Sequence, residues 1–101
     1  MTQEEILHLF RETGVWQEGH FLLSSGNHSR AYLQCALVLQ YPQHAERLVR
    51  PLAEAFRDAG VDVVAAPAMG GILVGYELAR ALGVRAIFAE REEGRLRFRR
   101  G

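Results

Sequence analysis

"VDVVAAPAMGGILVGYELARALGVRAIFAE", residues 61–90, is the stretch that decides the fold of this chain. It opens with a short, almost continuously apolar run, which is typical of a strand buried on both faces of a parallel sheet. A helical pattern that ends at Gly83 follows, and "VRAIFAE" has the composition of a second strand. A strand, a helix and a strand in this order predict a β-α-β unit with parallel strands. We therefore expect an α/β protein.

A short helix and a hairpin are predicted before this unit. Thr2 and Glu5 match a capping box, and Gly14 is placed to end the first helix. The following segment has short apolar runs on both sides of a polar turn at residues 24–28. This pattern predicts a hairpin or two short strands with a turn centred on glycine.

A second helix is predicted from Tyr41 to Ala59, directly before the β-α-β unit. Its buried stripe is expected to consist of Ala45, Leu48, Val49, Leu52 and Phe56. Pro51 lies inside this pattern, where a proline removes one backbone hydrogen bond at a cost of about 3 kcal/mol. We therefore expect a kink or two shorter helices. After the unit, Glu92-Glu93-Gly94 predicts a polar turn into a further strand.

The composition is that of an ordinary globular protein, and the length of 101 residues predicts a single domain, residues 1–101. Twelve basic and twelve acidic residues cancel, so no net charge favours nucleic acid or a membrane surface as partner. All twelve basic residues are arginine, which excludes a lysine-containing Walker A loop and Schiff-base chemistry. Cys35 is the sole cysteine, and we expect it to be a small buried hydrophobe. Without an apolar span or a signal peptide, a cytoplasmic location is expected.

The loop between the first strand and its helix, Pro67 to Gly71, offers almost no side chains. In open α/β sheets, ligands bind beyond the carboxyl ends of strands, and anions bind at the helix N-termini found there. Two adjacent glycines would let a phosphate approach the peptide N–H groups, but they also suit a plain tight turn. The pattern is not G-x-G-x-x-G, and no acidic residue follows in the arrangement of a dinucleotide site. Both interpretations of the loop stay open on physical grounds.

Two stretches resemble a known family. "VVAAPAMGGILVGYELARALGVRAIFAEREEGRLRFRRG", residues 63–101, is similar to the middle of bacterial orotate phosphoribosyltransferases, and "GHFLLSSGNHSRAYLQCALVLQYP", residues 19–42, is similar to their N-terminal substrate segment. The resemblance implies part of a type I phosphoribosyltransferase fold, with an N-terminal helix and hairpin before the first β-α-β unit of a parallel sheet. Such enzymes transfer ribose 5-phosphate from phosphoribosyl pyrophosphate to orotate in UMP biosynthesis. They release pyrophosphate and use Mg²⁺ as cofactor.

The resemblance also implies residues that contact the pyrophosphate. The contacting loop comprises Ala68, Met69, Gly70 and Gly71. Many relatives carry lysine where Gly70 stands, so here only backbone donors are implied. Arg91 matches an arginine that reaches pyrophosphate across the interface of a homodimer, and Arg95 is similar in position to a basic residue of the mobile catalytic loop. Solvated positions on a strand or turn are expected for Arg97, Arg99 and Arg100.

On the orotate side, the implied contacts are Ser24, Ser25, Gly26, Tyr32 and Leu33. Ser24 falls where many relatives carry a lysine, and Tyr32 and Leu33 fall where two aromatic residues commonly meet the pyrimidine. A tyrosine ring can stack on a flat heterocycle, although a place in the hairpin core suits Tyr32 nearly as well. Surface or turn roles are expected for His20 and His28. No side chain of this sequence is implied as a metal ligand.

The family's phosphate-binding motif, two adjacent acids and a Thr/Gly-rich loop after an apolar strand, would lie beyond residue 101. The resemblance therefore implies an incomplete domain that does not turn over alone. Two alternatives remain open. One is a purine-type phosphoribosyltransferase or regulatory homologue, which the spacing of residues 19–36 disfavours. The other is a non-catalytic fragment that binds an anion or a partner chain.

Overall fold

The computed structural model describes residues 1–100, which form two compact units divided between Tyr41 and Pro42. The first unit contains α1 (Gln3–Glu12), β1 (Trp16–Leu22), β2 (His28–Leu33) and α2 (Ala36–Leu39). The second contains α3 (Pro42–Phe56), β3 (Val63–Pro67), α4 (Ile72–Leu82), β4 (Arg85–Glu92) and β5 (Arg95–Arg97). Helices and small sheets thus alternate as expected of an α/β chain.

The capping signals of α1 are confirmed. The Thr2 side chain accepts a hydrogen bond from the backbone N–H of Glu5, and the Glu5 carboxylate accepts one from the backbone N–H of Thr2. Both bonds satisfy donors that a helix start leaves free. Gly14 follows the helix with φ of +81°, and the N–H of Val15 donates to the carbonyl of Phe10. This arrangement ends the helix, and the fully buried Val15 directly precedes β1.

The predicted hairpin is also confirmed. β1 and β2 pair antiparallel from Trp16↔Leu33 to Leu22↔His28. The connecting turn contains Gly26, which has φ of +91°, and a bulge interrupts the register between Glu18 and Phe21. Such a bulge places two residues of one strand opposite one residue of the other and bends the bulged strand.

The apolar segment after β2 differs from the prediction in two respects. It does not continue as strand but forms the short helix α2, whose Val38 is almost fully buried. The expectation that Cys35 is a buried hydrophobe is wrong, because this residue lies exposed just before α2. The short helix turns Val38 inward and leaves Cys35, the residue before the helix, on the surface.

In the second unit, α3 continues through Pro51 as one helix, so the prediction of two shorter helices is wrong. Its buried residues are Ala45, Val49 and Ala53. They repeat every four residues and form one row along the helix. The helix ends at Phe56 and not at Ala59.

The predicted buried stripe of α3 was too wide. Leu52 and Phe56 are 42% and 46% exposed. Leu52 and Phe56 belong to a neighbouring row of the helix. The row that is buried where α3 and α4 pack is the one with the smaller side chains, Ala45, Val49 and Ala53. Small side chains let two helices approach closely, which places the larger neighbouring residues at the rim.

The β-α-β unit is confirmed. β3 and β4 are parallel, with register from Val63↔Arg85 to Pro67↔Ala89, and α4 ends at Gly83, whose φ is +70°. β5 then pairs antiparallel with β4 through a two-residue turn, Glu93-Gly94, in which both residues have positive φ. Positive φ at both central residues is typical of a type I′ hairpin turn.

One expectation about β3 is wrong. The strand is not buried on both faces, because Ala65 and Pro67 are exposed. On the opposite face Val64 and Ala66 lie under α4, where a β-carbon on Gly75 would meet both side chains. Side chains alternate along a strand, so one face of β3 packs on the helix and the other faces outward.

Candidate functional site

The loop after β3 is held at both of its ends. The N–H of Ala68 donates to the carbonyl of Ala89 on β4, with N and O 2.7 Å apart. The N–H of Gly71 donates back to the carbonyl of Pro67 at 2.9 Å, and the Ala68–Met69 peptide between them is cis. The loop therefore sits between the carboxyl end of β3 and the first turn of α4, the place where open α/β sheets bind ligands.

Two of the four predicted loop donors are free to meet a ligand. Within residues 1–100, no backbone acceptor outside the regular helices and strands engages the N–H groups of Met69 and Gly70. The N–H groups of Ala68 and Gly71 are engaged by protein carbonyls, as described above. Free N–H groups before a helix N-terminus attract anions, because the helix dipole adds partial positive charge there. The donors available to an anion are thus those of Met69 and Gly70.

The two adjacent glycines differ in whether the fold requires a glycine at that position. A β-carbon on Gly71 would lie 2.7 Å from the carbonyl oxygen of Pro67 and 2.8 Å from Pro67 Cδ. This contact is closer than real β-carbons allow, so the tight turn itself requires glycine at Gly71. A β-carbon on Gly70 would meet nothing within 4 Å. The space above Gly70 is open to an approaching group.

A cleft of about 410 Å³ opens beside the loop. It is lined by Ala68, Met69, Ile72, Phe88, Glu90, Arg91 and Arg100. Two predicted loop residues, Ala68 and Met69, are thus brought together with Arg91. Gly70, Gly71 and Arg95 do not line this cleft. Sequence reasoning missed Glu90 and Phe88 as part of the site, and the signal for them was their place at the end of the second parallel strand.

Ion pairs divide the arginines around the cleft into two groups. Glu90 accepts from Arg100 at 2.7 Å and lies 3.6 Å from Arg99, which also pairs with Glu92 at 3.2 Å. These pairs fit the surface positions predicted for Arg99 and Arg100. Arg91 and Arg95 make no ion pair with residues 1–100 and are both exposed. Arg91 is therefore the cleft arginine whose positive charge is available to an anion.

The first unit carries a second hollow, of about 710 Å³, on the hairpin. It is lined by Gln17, His20, Phe21, Leu22, Leu23, Ser24, Ser25 and Tyr32. Three of the five residues predicted for the orotate side, Ser24, Ser25 and Tyr32, are in this set. The ring of Tyr32 stacks on Phe21 with centroids 5.6 Å apart and an angle of 30° between the planes. The Tyr32 side chain is 39% exposed, so this ring keeps surface for a further contact.

Gly26 and Leu33 lie outside this hollow. Gly26 shapes the turn, where its N–H donates to the carbonyl of Leu23. Leu33 pairs with Trp16 at the far end of β2, and neighbouring strand residues point to opposite faces. Tyr32 and Leu33 therefore cannot present their side chains to one ligand on the same face of the hairpin.

Comparison with curated proteins finds relatives along the whole chain. The orotate phosphoribosyltransferase of Pelotomaculum thermopropionicum is 57% identical over 101 residues, which cover 100% of this chain and 53% of that protein. Those of Caldicellulosiruptor saccharolyticus and Desulforamulus reducens are 55% and 54% identical, covering 100% and 99% of this chain and 53% and 52% of their own lengths. No family model matches the chain. The chain spans about half the length of the curated relatives it matches.

Solved structures share the fold at low sequence identity. An orotate phosphoribosyltransferase from Aeropyrum pernix matches with a TM-score of 0.75 and 20% identity, covering 93% of this chain and 58% of that one. A UMP synthase from Leishmania donovani matches with a TM-score of 0.79 and 21% identity, covering 91% of this chain and 21% of that one. These matches confirm that the chain shares the α/β fold of these two structures. Within residues 1–100, no helix combines the length and apolar character needed to cross a membrane.

Proposed function

Because this chain is homologous over its whole length to about half of an orotate phosphoribosyltransferase, we propose that its protein performs that reaction. Ribose 5-phosphate passes from phosphoribosyl pyrophosphate to a ring nitrogen of orotate, giving orotidine 5′-phosphate and pyrophosphate. The observation that carries this proposal is the identity of 57% along all 101 residues. The matched region includes both the hairpin and the glycine loop.

The glycine loop serves the pyrophosphate in this proposal. As the bond between the sugar and pyrophosphate breaks, negative charge collects on the leaving group. The free N–H groups of Met69 and Gly70 can donate to it, and the open space above Gly70 lets an oxygen come close. Fixed donors aimed at developing charge lower the barrier without a side-chain nucleophile. The loop thus acts by positioning and by electrostatic stabilisation.

Arg91 supplies full positive charge to pyrophosphate. It is exposed on the cleft and has no acidic partner within residues 1–100, so its charge is available to an anion. In the homodimer that the resemblance implies, we assign Arg91 to the pyrophosphate held by the partner's loop, and Arg95 to a lid that closes over the reacting groups. Closure excludes water and strengthens the charge interactions. Glu90 instead holds Arg99 and Arg100 in place.

The hairpin hollow takes orotate in this proposal. The exposed part of the Tyr32 ring stacks on the pyrimidine, while Phe21 supports the ring from the other side. The hydroxyls of Ser24 and Ser25 lie on the same hollow and can hydrogen-bond the polar edge of the heterocycle. Orotate carries a carboxylate, and a hydroxyl donor suits that group.

Mg²⁺ fits this arrangement as an ion that binds together with the substrate. Within the described part of the chain, no three His, Cys, Asp or Glu side chains form a group that could hold a metal ion. Mg²⁺ is commonly bound through substrate phosphates with only one or two carboxylates. Bound with phosphoribosyl pyrophosphate, it would neutralise phosphate charge. This chain's part is to hold the phosphates through its loop and Arg91.

The test is a spectrophotometric assay of orotate consumption with phosphoribosyl pyrophosphate and Mg²⁺. Two proteins are compared: the 101-residue chain, and the product of its reading frame with any downstream DNA included. We expect turnover from a product that contains the Thr/Gly-rich phosphate loop, and binding of pyrophosphate without turnover from residues 1–101. If the chain binds no pyrophosphate and the complete frame forms no orotidine 5′-phosphate, the proposal fails. Turnover with a purine base in place of orotate would likewise refute it.

Arg91→Ala is the matched test of the site, with Arg97→Ala as its control. Both residues are exposed arginines near the same turn, but only Arg91 lines the cleft. We expect Arg91→Ala to weaken pyrophosphate binding by about tenfold or more, which corresponds to a charged hydrogen bond worth about 1.5–3 kcal/mol. Equal losses in the two variants would show a general charge effect and contradict the assignment.

A further inference from the structure

Two histidines meet on the hairpin outside the roles assigned above. His20 Nε2 lies 2.7 Å from His28 Nδ1, and the two rings stand edge to face with centroids 4.8 Å apart. Both residues are exposed. One ring nitrogen must donate the bond and the other must accept it, so at least one lone pair already points into the space between the rings.

The backbone brings these residues together through the bulge in β1. Glu18 pairs with Ala31 and Phe21 with Ser29, so two residues of β1, Gly19 and His20, lie opposite Arg30 alone. Gly19 has φ of +155°, a conformation that favours glycine. Bulges re-aim side chains, and they are frequent beside functional sites.

After the bulge the register places Leu22 opposite His28. His20 is two residues before Leu22, so it lies on the same face of the hairpin as His28 and diagonal to it. Diagonal neighbours are within reach of aromatic side chains. The strand pairing therefore places both side chains within reach of each other.

We propose that His20 and His28 form a binding site for a divalent transition-metal ion of the Zn²⁺, Ni²⁺ or Cu²⁺ type. Imidazole nitrogen is a preferred ligand of these ions. At a metal–nitrogen distance of about 2.0–2.1 Å, two ligands of a tetrahedral ion lie about 3.3 Å apart. The rings need only separate by about half an ångström from the present 2.7 Å and turn both lone pairs toward the ion.

The surroundings indicate a site with two protein ligands. Residues 1–100 contain no group of three or more His, Cys, Asp or Glu side chains suited to a metal. On one side of His20 the hollow contains the hydroxyls of Ser24 and Ser25; on the other, a second hollow contains Glu18 and Arg30. The Glu18 carboxylate accepts a hydrogen bond from the Trp16 indole, and the charge of Arg30 opposes a cation. Water completes the coordination sphere, so the affinity is lower than that of a closed four-ligand zinc site.

Neither histidine was given a part in the transfer reaction, although His20 lines the hollow proposed for orotate, so metal binding is measured without substrate. The inference is tested by titrating the untagged 101-residue chain with Zn²⁺ or Ni²⁺ and following heat by calorimetry and ring signals by NMR. We expect one ion per chain. The His20→Gln and His28→Gln variants should each bind about tenfold or more weakly, since even indirect changes at metal sites cost about 10–100-fold.

His8→Gln is the matched control, because His8 is an exposed histidine on α1 that lies 3.8 Å from the Glu12 carboxylate and far in sequence from the hairpin. Its affinity for the ion should equal that of the unaltered chain. Circular dichroism checks that each variant folds. Should the hairpin variants unfold, the ring signals of the unaltered chain still decide: Zn²⁺ must shift those of His20 and His28. No shift there, or equal affinity in all three variants, overturns the proposal.

Discussion

A β-carbon placed on Gly75 of α4 would lie 2.7 Å from the β-carbon of Ala66 on β3. The helix therefore approaches closely the strand that carries the glycine loop. Both residues are small, and Gly75 is buried. The contact sets how near the first turn of α4 comes to the end of β3, and hence where the free N–H groups of Met69 and Gly70 lie.

Gly75→Ala should therefore destabilise the chain although alanine is the better helix former. Overpacking a core costs about 1–3 kcal/mol, while alanine gains up to about 1 kcal/mol over glycine in a helix. Because the contact of 2.7 Å is with a β-carbon that cannot swing away, the cost lies in the upper part of this range. We expect a net loss of roughly 1–2 kcal/mol in the free energy of unfolding, measured by urea denaturation. Ala81→Gly, near the end of the same helix, shows the propensity difference together with the loss of one half-buried methyl group. A Gly75→Ala variant as stable as the unaltered chain would contradict this packing.

The two glycines of the loop should respond differently to alanine. Gly71→Ala drives a β-carbon into Pro67, so we expect a loss of about 1–3 kcal/mol in stability. Gly70→Ala meets open space, so its stability should stay within about 0.5 kcal/mol of the unaltered chain. Thermal unfolding of both variants, followed by circular dichroism, measures the difference. Equal losses would mean that the loop is not built as described.

Gly70→Ala also separates the two interpretations of the loop that the sequence leaves open. If the loop only turns the chain, pyrophosphate affinity should not change. If Met69 and Gly70 donate to a phosphate, a methyl group in the space above Gly70 hinders its approach, and we expect affinity to fall by about tenfold, or about 1.4 kcal/mol. Calorimetric titration with pyrophosphate gives the answer, and the retained stability predicted above keeps it interpretable.

The β-α-β unit and the hairpin could be predicted from the sequence because their signals are local. Gly83 ends α4, the Glu93-Gly94 turn reverses the chain, and Thr2 with Glu5 starts α1. The buried side of α3 could not be predicted so well. Two adjacent rows of that helix are apolar. Which of the two is buried depends on how α3 packs with α4, and the local sequence pattern carries no information on that packing.

In the candidate site, too, some features could be predicted from the local sequence and others depend on packing. The place of the loop beyond β3 follows from sequence order, whereas the reason for Gly71 lies in its distance from Pro67. The contact between His20 and His28 depends on a bulge of one residue, and no sequence pattern predicted this bulge. Contacts that depend on a register shift are visible only once the strands are paired.

The surface pair of Glu54 and Arg57 gives a pH-dependent prediction away from the site. Arg57 lowers the pKa of Glu54 below its ordinary value of 4.5, first through a hydrogen bond and then through its charge. A folded-state pKa that is depressed contributes stability above the unfolded pKa, and this contribution is lost as the pH falls through the folded pKa. Arg57→Gln should therefore raise the pKa of Glu54 toward 4.5, as followed by NMR titration of its carboxyl carbon. Arg50→Gln should raise this pKa less, because the charge of Arg50 has the smallest effect on Glu54. The reverse order would contradict the pairing.

The stacked pair of Tyr32 and Phe21 provides the test of the orotate side. If Tyr32 contacts the pyrimidine, Tyr32→Leu removes the stacking surface and should weaken orotate binding by about fivefold to tenfold, since an aromatic pair is worth about 0.5–1.5 kcal/mol beyond its buried area. Tyr32→Phe keeps the ring and should retain most of the affinity. Leu33→Ala is the matched control, because Leu33 lies outside the hollow and points to the other face of β2. Affinities come from fluorescence or calorimetric titration with orotate. If Tyr32→Leu lowers only the stability of the hairpin, with orotate affinity unchanged, the ring belongs to the hairpin core and the hollow does not hold the base.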